Sequence, residues 1–399
     1  MRSQIHFSDR LHALRESLSS HVASGDMPGC VWLVSLGEEI HSGSIGRLDF
    51  DGAPIARDSI FRIASMTKPM VAAVAMMLVE DGTLSLDAPI EKWIPELANR
   101  RVLRDIRGSL TDTVPAARAI TVRDLLTYRM GFGIVWGHDD LPIVRAANEL
   151  KLGAFGPPRV QEPPAIDEWL ARFATLPLME QPGERWRYQT SAEVLGILLA
   201  RASGKSLAAV MRERLFDPLA MKDTAFFVPP EKITRLGPTY MVNAKGTLDL
   251  YDAAQGGDFS RAPAFESAGG GLVSTVDDCF AFAKMMQSGG TTGGGLRILA
   301  RESVDAMTRD QLTASNKEAT PSSLDAGFFD TTSWGFGCAV VMKQEAGAPF
   351  GAGWDGGFGT TMWWSENAIA IQLTQRSAYP KMNPVYTDFW RAVNTAMGI

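Results

Sequence analysis

Between Ser65 and Glu80 the chain is apolar on nearly every side once it is wound as a helix. A helix without a polar face has to be enclosed, so the rest of the molecule must be built around it. Pro69 fixes where this helix begins. Proline is tolerated in a first turn but not in an interior, which predicts a start close to Ser65. With 399 residues, 45% of them apolar, the chain has enough material to cover such an element without disulfides or metal as staples. The same length allows two or three domains, or one large domain with an insertion.

The covering layers are legible at both ends. Ile5, Leu11, Leu14, Leu18 and Val22 are spaced for one face of a helix over residues 5–24. Val31–Leu36 reads as a buried strand, and a second strand follows at about His41–Phe50. Near the other end, Trp334–Met342, Gly359–Trp364 and Asn367–Gln375 are strand-like, and a final helix starts at about Pro384. Short turns between successive strands imply antiparallel pairing. The middle alternates helical segments (Asp87–Trp93, Val122–Thr127, Ile166–Thr175, Ser191–Ser203, Leu207–Leu215) with loops rich in Pro and Gly, of which Gly153–Pro164 is the longest. Val276–Gln287 is a further helix. The expectation is an α+β fold. One antiparallel sheet is built from both termini (residues 1–85 with 265–399), and a mainly helical domain, 86–264, is inserted.

Composition narrows the function. The net charge is -6 and there is no Lys/Arg run, so a nucleic-acid partner is not expected. Three widely spaced cysteines, Cys30, Cys279 and Cys338, fit a reducing compartment and supply neither a disulfide framework nor a zinc site. None of the five histidines forms a paired-ligand pattern, so no metal or other cofactor is expected. The N-terminus lacks the apolar core of a signal peptide. The longest uncharged apolar run, Pro69–Val79, is too short to span a bilayer. The expected protein is soluble and cytoplasmic, with no membrane partner.

Three segments carry chemistry. In Ser65-Met66-Thr67-Lys68, positions three apart on a helix are neighbours, so Lys68 can reach the Ser65 hydroxyl. Serine needs a base to become a nucleophile, and burial on an apolar helix lowers a lysine's pKa so that it can serve. About one Ser-x-x-Lys is expected by chance in a chain of this length; this one falls at the head of the most apolar helix. The second segment is Pro182–Thr190, where Tyr188 heads a helix and can act as a proton shuttle if held near a cation. The third is Gly353–Thr360, whose glycines let backbone approach a ligand and whose free strand N–H groups can hold an oxyanion.

In order and spacing these segments resemble the penicillin-recognising serine hydrolases, the superfamily of class C β-lactamases, D-alanyl-D-alanine peptidases and family VIII carboxylesterases. The stretches Leu125–Gly133, Ser203–Ser206, Phe216–Thr224 and Ser267–Thr275 are similar to that group as well. The resemblance implies a β-lactamase/transpeptidase-like fold. It makes Ser65 the acyl-accepting nucleophile, Lys68 its activator and Tyr188 general base and then acid. The backbone N–H groups of Ser65 and Gly357 become the oxyanion hole if Trp354-Asp355-Gly356 fills the third motif; an alternative register gives that role to Trp354. Trp354, Asp355 and Gly356, with Trp136 and Tyr128, are the candidate substrate-pocket wall.

Two departures steer the expected substrate. Thr190 stands where the β-lactamases' second motif has asparagine, and Trp354 where their third begins with lysine. That lysine helps hold the β-lactam carboxylate; its loss should weaken recognition of an anion by about one or two decades. An indole offers an apolar wall instead. The expectation is a serine carboxylesterase acting on small neutral esters. The alternatives are a β-lactamase or D-amino-acid peptidase, an acyltransferase, and a catalytically dead binding protein on the same fold.

Overall fold

The computed structural model describes residues 7–153, 158–320, 327–378 and 383–399. Its centre is a seven-stranded sheet. Strands β1 (Gly29–Leu36) and β2 (Glu39–Gly46) come from the N-terminal part. Strands β3 (Thr332–Trp334), β4 (Ala339–Val341), β5 (Ala352–Gly356), β6 (Thr360–Trp364) and β7 (Ala368–Thr374) come from the C-terminal part. The order is β2-β1-β7-β6-β5-β4-β3, and every neighbouring pair is antiparallel. The join between the chain's two ends is β1 on β7, with Cys30 opposite Thr374 and Leu36 opposite Ala368.

Six helices matter here: α1 (His12–Ala23), α2 (Thr67–Glu80), α3 (Pro142–Glu149), α4 (Thr190–Ser203), α5 (Val276–Gln287) and α6 (Pro384–Met397). Side chains alternate across a strand, so each sheet face has its own cover. Trp32, Val34 and Ala370 pack with Leu14 and Leu18 of α1 and with Phe389 and Trp390 of α6. Val31, Leu33, Ile369 and Ile371 belong to a second cluster with Met70 and Val74 of α2 and Phe282 and Met286 of α5. With both faces covered, all seven residues of β7 are buried, and its sequence is accordingly an apolar run rather than an alternation.

The middle of the chain holds the short helix Val122–Leu126, α3, Ile166–Ala174, α4 and Leu207–Met211. It also holds two short strand pairs, Arg101–Leu103 with Thr113–Pro115 and Thr239–Val242 with Leu248–Asp252, which the sequence reading had as loop. Other differences have local causes. The helix expected over 5–24 is broken at Leu11, and residues 5 and 6 lie outside the described residues. Asp87–Trp93 shrinks to one tight turn, Ile90–Lys92, because this segment pairs its backbone with Ile120 and Thr121 instead of itself. Leu207–Leu215 stays α-helical only to Met211 and then widens into a π turn, Arg212–Phe216. The strand expected over Trp334–Met342 folds back on itself at Gly337, whose φ is +73°. The loop Gly153–Pro164 includes residues 154–157, which lie outside the described residues. Among the described residues no single helix is long and apolar enough to cross a membrane.

Candidate active site

The sequence places Ser65 in a tight turn, Ala64–Met66, that runs directly into α2. The turn is fixed from several sides. Ile63 N–H donates to the Leu272 carbonyl (3.0 Å). The Thr67 hydroxyl donates to the Ala64 carbonyl (2.6 Å) and accepts from Leu272 N–H (3.2 Å). From the sheet side β5 comes so close that a Cβ on Gly356 would collide with the Ile63 carbonyl, which is why a glycine stands there. Ala64 pays for this geometry with a left-handed backbone, φ +44°. Such strain costs on the order of 1–3 kcal/mol and persists only where its surroundings enforce it. Ser65 is left half-exposed while Ala64 and Met66 on either side are buried.

One turn into α2, Lys68 is 1% exposed. Its Nζ donates to Ser65 Oγ (2.9 Å), to Gln189 Oε1 (2.8 Å) and to the Gly269 carbonyl. It also lies 4.3 Å from the centroid of the Tyr188 ring. Burial disfavours the ammonium and lowers the Lys68 pKa to about 7, with the charge of Glu193 opposing the shift. The i,i+3 contact expected from Ser-x-x-Lys is therefore formed, on a lysine whose burial eases the loss of its proton.

Tyr188 and Gln189 lead into α4. Gln189, with φ +82° and ψ -70°, is a further non-glycine residue of the site at positive φ, the centre of a γ-turn in which Thr190 N–H donates to the Tyr188 carbonyl (3.3 Å). The phenol oxygen of Tyr188 accepts an N–H from Trp354 Nε1 at 2.6 Å. Aromatic rings surround Tyr188, those of Trp354 at 5.6 Å, Trp136 at 5.7 Å, Trp186 at 5.8 Å and Tyr128 at 6.0 Å between centroids.

Ser65, Tyr188, Gln189, Glu193, Ser267, Gly269 and Gly357 share the wall of a cavity of about 590 Å³. The remainder of the wall is mostly apolar, with Phe132, Ile134, Val144, Leu152, Val160 and Met179 from α3 and the segments beside it; Lys151, Arg159 and Glu162 also line it. Gly357 follows β5 directly. The carbonyl of Gly356 accepts from Gly359 N–H (2.8 Å) inside the hairpin, so in a trans peptide the Gly357 N–H points the other way. Trp354, by contrast, sits within β5 opposite Met362.

None of the five residues expected as the pocket wall lines this cavity: Asp355, Tyr128 and Gly356 stand away from it, and Trp354 and Trp136 meet the site through Tyr188. Asp355 points to the opposite face of the sheet, because successive strand residues alternate. There its carboxylate accepts from Thr361 Oγ1 (2.6 Å), Trp363 Nε1 (2.9 Å) and the Tyr386 hydroxyl of α6 (2.8 Å), and burial raises its pKa. Tyr128 is buried behind Tyr188, 4.8 Å from the Trp334 ring, where burial pushes its phenol well above the ordinary value. Gly356 serves the approach of β5 to the Ser65 turn. Trp354 meets the site through its bond to Tyr188, and Trp136 through its ring against Tyr188. The amide at Lys68 comes from Gln189, not from position 190; Thr190 is the first residue of α4.

Four site groups went unread in the sequence: Gln189, Glu193, Ser267 and Gly269. Glu193 had a signal, being the lone carboxylate in the apolar run Ala192–Leu199, where a charge has to find partners.

Comparison with known proteins agrees with this architecture. A model of the β-lactamase family matches residues 14–387. The chain belongs to the β-lactamase family. Among its relatives, Protein Rv1367c of Mycobacterium tuberculosis (strain H37Rv) is 38% identical over 365 residues, covering 88% of this chain and 86% of the relative. Esterase EstB of Burkholderia gladioli is 28% identical over 374 residues, 87% of this chain and 85% of that enzyme. The structure of EstCE1, described as a hydrolase with promiscuous acyltransferase activity, superposes with a TM-score of 0.78 at 20% identity, over 97% of this chain and 99% of that one. The family's serine-hydrolase fold, a β-lactamase/transpeptidase-like sheet built from both termini, is thus the fold of this chain.

Proposed function

We propose that the protein is a serine carboxylesterase that cleaves small neutral esters through an acyl-enzyme on Ser65. The observation that carries this reading is Lys68 Nζ, buried and held 2.9 Å from Ser65 Oγ at the wall of a largely apolar cavity. Ser65 Oγ attacks the ester carbonyl, and its proton passes by way of Lys68 and Tyr188 to the departing alcohol, so that the C–O bond to the alcohol breaks as the Ser65 acyl bond forms. Charge developing on the carbonyl oxygen is met by the N–H groups of Ser65 and Gly357. The Trp354 N–H supports the negative charge on the Tyr188 oxygen after it has given its proton to the departing alcohol and before it regains one from Lys68. Water then repeats the sequence on the acyl-enzyme, with Tyr188 acting in reverse.

EstB, named an esterase, supports the reaction class. The apolar wall and the indole of Trp354 at the motif's lysine position favour neutral substrates over anionic ones. The three cysteines, all unpaired and buried, fit a cytoplasmic site of action. The discriminating experiment compares kcat/KM for p-nitrophenyl butyrate and for nitrocefin. The reading expects the ester to be preferred by at least about tenfold; a preference for nitrocefin would assign the protein to the β-lactam-hydrolysing branch. A second reading, acyl transfer to an alcohol in place of water, draws on the apolar cavity and on the acyltransferase activity in the description of EstCE1. An added alcohol that is esterified faster than water is consumed would establish it.

A further inference from the structure

Two acceptors of Lys68 Nζ among the described residues, the Gln189 amide and the Gly269 carbonyl, are held by one carboxylate. Gln189 Oε1 accepts from Lys68 Nζ, and the other end of that amide donates from Nε2 to Glu193 Oε1 at 2.8 Å. The Gly269 carbonyl accepts from Lys68, and the Gly269 N–H donates to Glu193 Oε2 at 3.3 Å. The Ser267 hydroxyl completes the set, donating to Glu193 Oε1 at 2.7 Å. Glu193 is 8% exposed, so these three donors replace most of its hydration. The packing is close: a Cβ on Gly269 would collide with both Gln189 Nε2 and Glu193 Oε1. Gln189 stands at positive φ (+82°), and its amide lies between Lys68 and Glu193.

We propose that Glu193 is a positioning residue for the reaction, aiming Lys68 Nζ at Ser65 Oγ by holding the Gln189 amide and the Gly269 peptide. The proposal rests on the reading of Ser65 as the nucleophile. Glu193 also acts through its charge. It faces Lys68 from α4; the other titratable groups around Lys68 are Tyr188 at the head of α4 and Tyr128 behind it, with Lys151, Arg159 and Glu162 on the cavity wall. The segment carrying Ser267 and Gly269 contributes neither acid nor base at the contact. A carboxylate beside the ammonium favours the charged lysine, so Glu193 holds back deprotonation of Lys68 that burial promotes. Neutralising Glu193 therefore makes Lys68 a free base at lower pH.

The test is the rate of Ser65 labelling by a fluorophosphonate, followed from about pH 5 to 9 on the intact chain, beside ester hydrolysis over the same range. In Glu193→Gln the acid limb of the labelling rate moves to lower pH by about one unit, and the plateau falls about tenfold because the lysine is aimed less well. Ser267→Ala, which leaves the carboxylate in place with one donor fewer and so less shielded from Lys68, moves the limb the other way, to higher pH, by less, and guards against a Glu193→Gln chain that fails to fold. A residue needed only for packing would lower the plateau and leave the limb where it is. Unmoved limbs in folded variants overturn the proposal while leaving Ser65 as nucleophile. Absence of Ser65 labelling in the wild type would overturn the esterase reading itself.

Discussion

Replacing Trp354 by Phe isolates a single bond. The indole Nε1 donates to the Tyr188 oxygen at 2.6 Å, and both groups are buried. Phenylalanine keeps an aromatic ring against Trp334, whose centroid lies 4.8 Å from that of Trp354, and against Phe328 at 6.1 Å, so the sheet packing is largely preserved. A neutral hydrogen bond contributes about 0.5–1.5 kcal/mol and one to a charged partner about 1.5–3 kcal/mol. The partner is neutral while Tyr188 holds its proton and negative once Tyr188 has handed it on. The bond therefore strengthens toward the transition state, and its loss should appear in kcat. The difference between those ranges, about 1–1.5 kcal/mol at their midpoints, gives a fall in kcat of about five- to twelvefold, with KM changed less than threefold. The assay is steady-state hydrolysis of p-nitrophenyl butyrate, with circular dichroism to verify folding. A folded Trp354→Phe enzyme with kcat within twofold of the wild type would refute the idea that this N–H serves Tyr188 in the reaction.

Three further outcomes are expected. Lys68→Ala and Tyr188→Phe should each lower kcat about as far as the double variant, since members of one proton-transfer chain do not act additively; penalties that multiply in the kinetics would mean independent roles. The wild-type kcat/KM should rise with pH through about 7 and then level, because Lys68 has to lose its proton to act and its pKa is lowered to about 7; a pH–rate profile flat between about pH 5.5 and 8.5 would contradict this. Val144→Trp, which fills the apolar cavity from α3, should reduce kcat/KM for p-nitrophenyl octanoate by at least about tenfold relative to the acetate; an unchanged ratio would place the acyl chain elsewhere.

How much of this could be read from sequence follows from whether a feature is local. The burial of α2, its start near Pro69 and the Ser65–Lys68 contact all depend on helical periodicity alone. The role of both termini in one sheet is legible from a different local signal, the short, mostly apolar runs of β1, β6 and β7. The glycines of Gly353–Thr360 signal a close backbone approach but not the extent of β5, and without the strand's alternation Asp355 falls beside Trp354 rather than on the other face. The amide at Lys68 belongs to Gln189, whose positive φ is enforced by tertiary packing and leaves no mark in the sequence spacing. The cavity wall escaped for a similar reason. Leu141 and Pro142 open α3, and proline in a first turn is a start signal, but the helix buries only Ile143 and Val144 fully and lacks the long periodic pattern that marks a helix.

The most direct test of the account is to label the protein with a fluorophosphonate and map the modified peptide by mass spectrometry. The account predicts one adduct, on Ser65, lost in Ser65→Ala together with ester hydrolysis while the fold is retained. An adduct on another serine, or hydrolysis that survives in a clean preparation of Ser65→Ala, would contradict it.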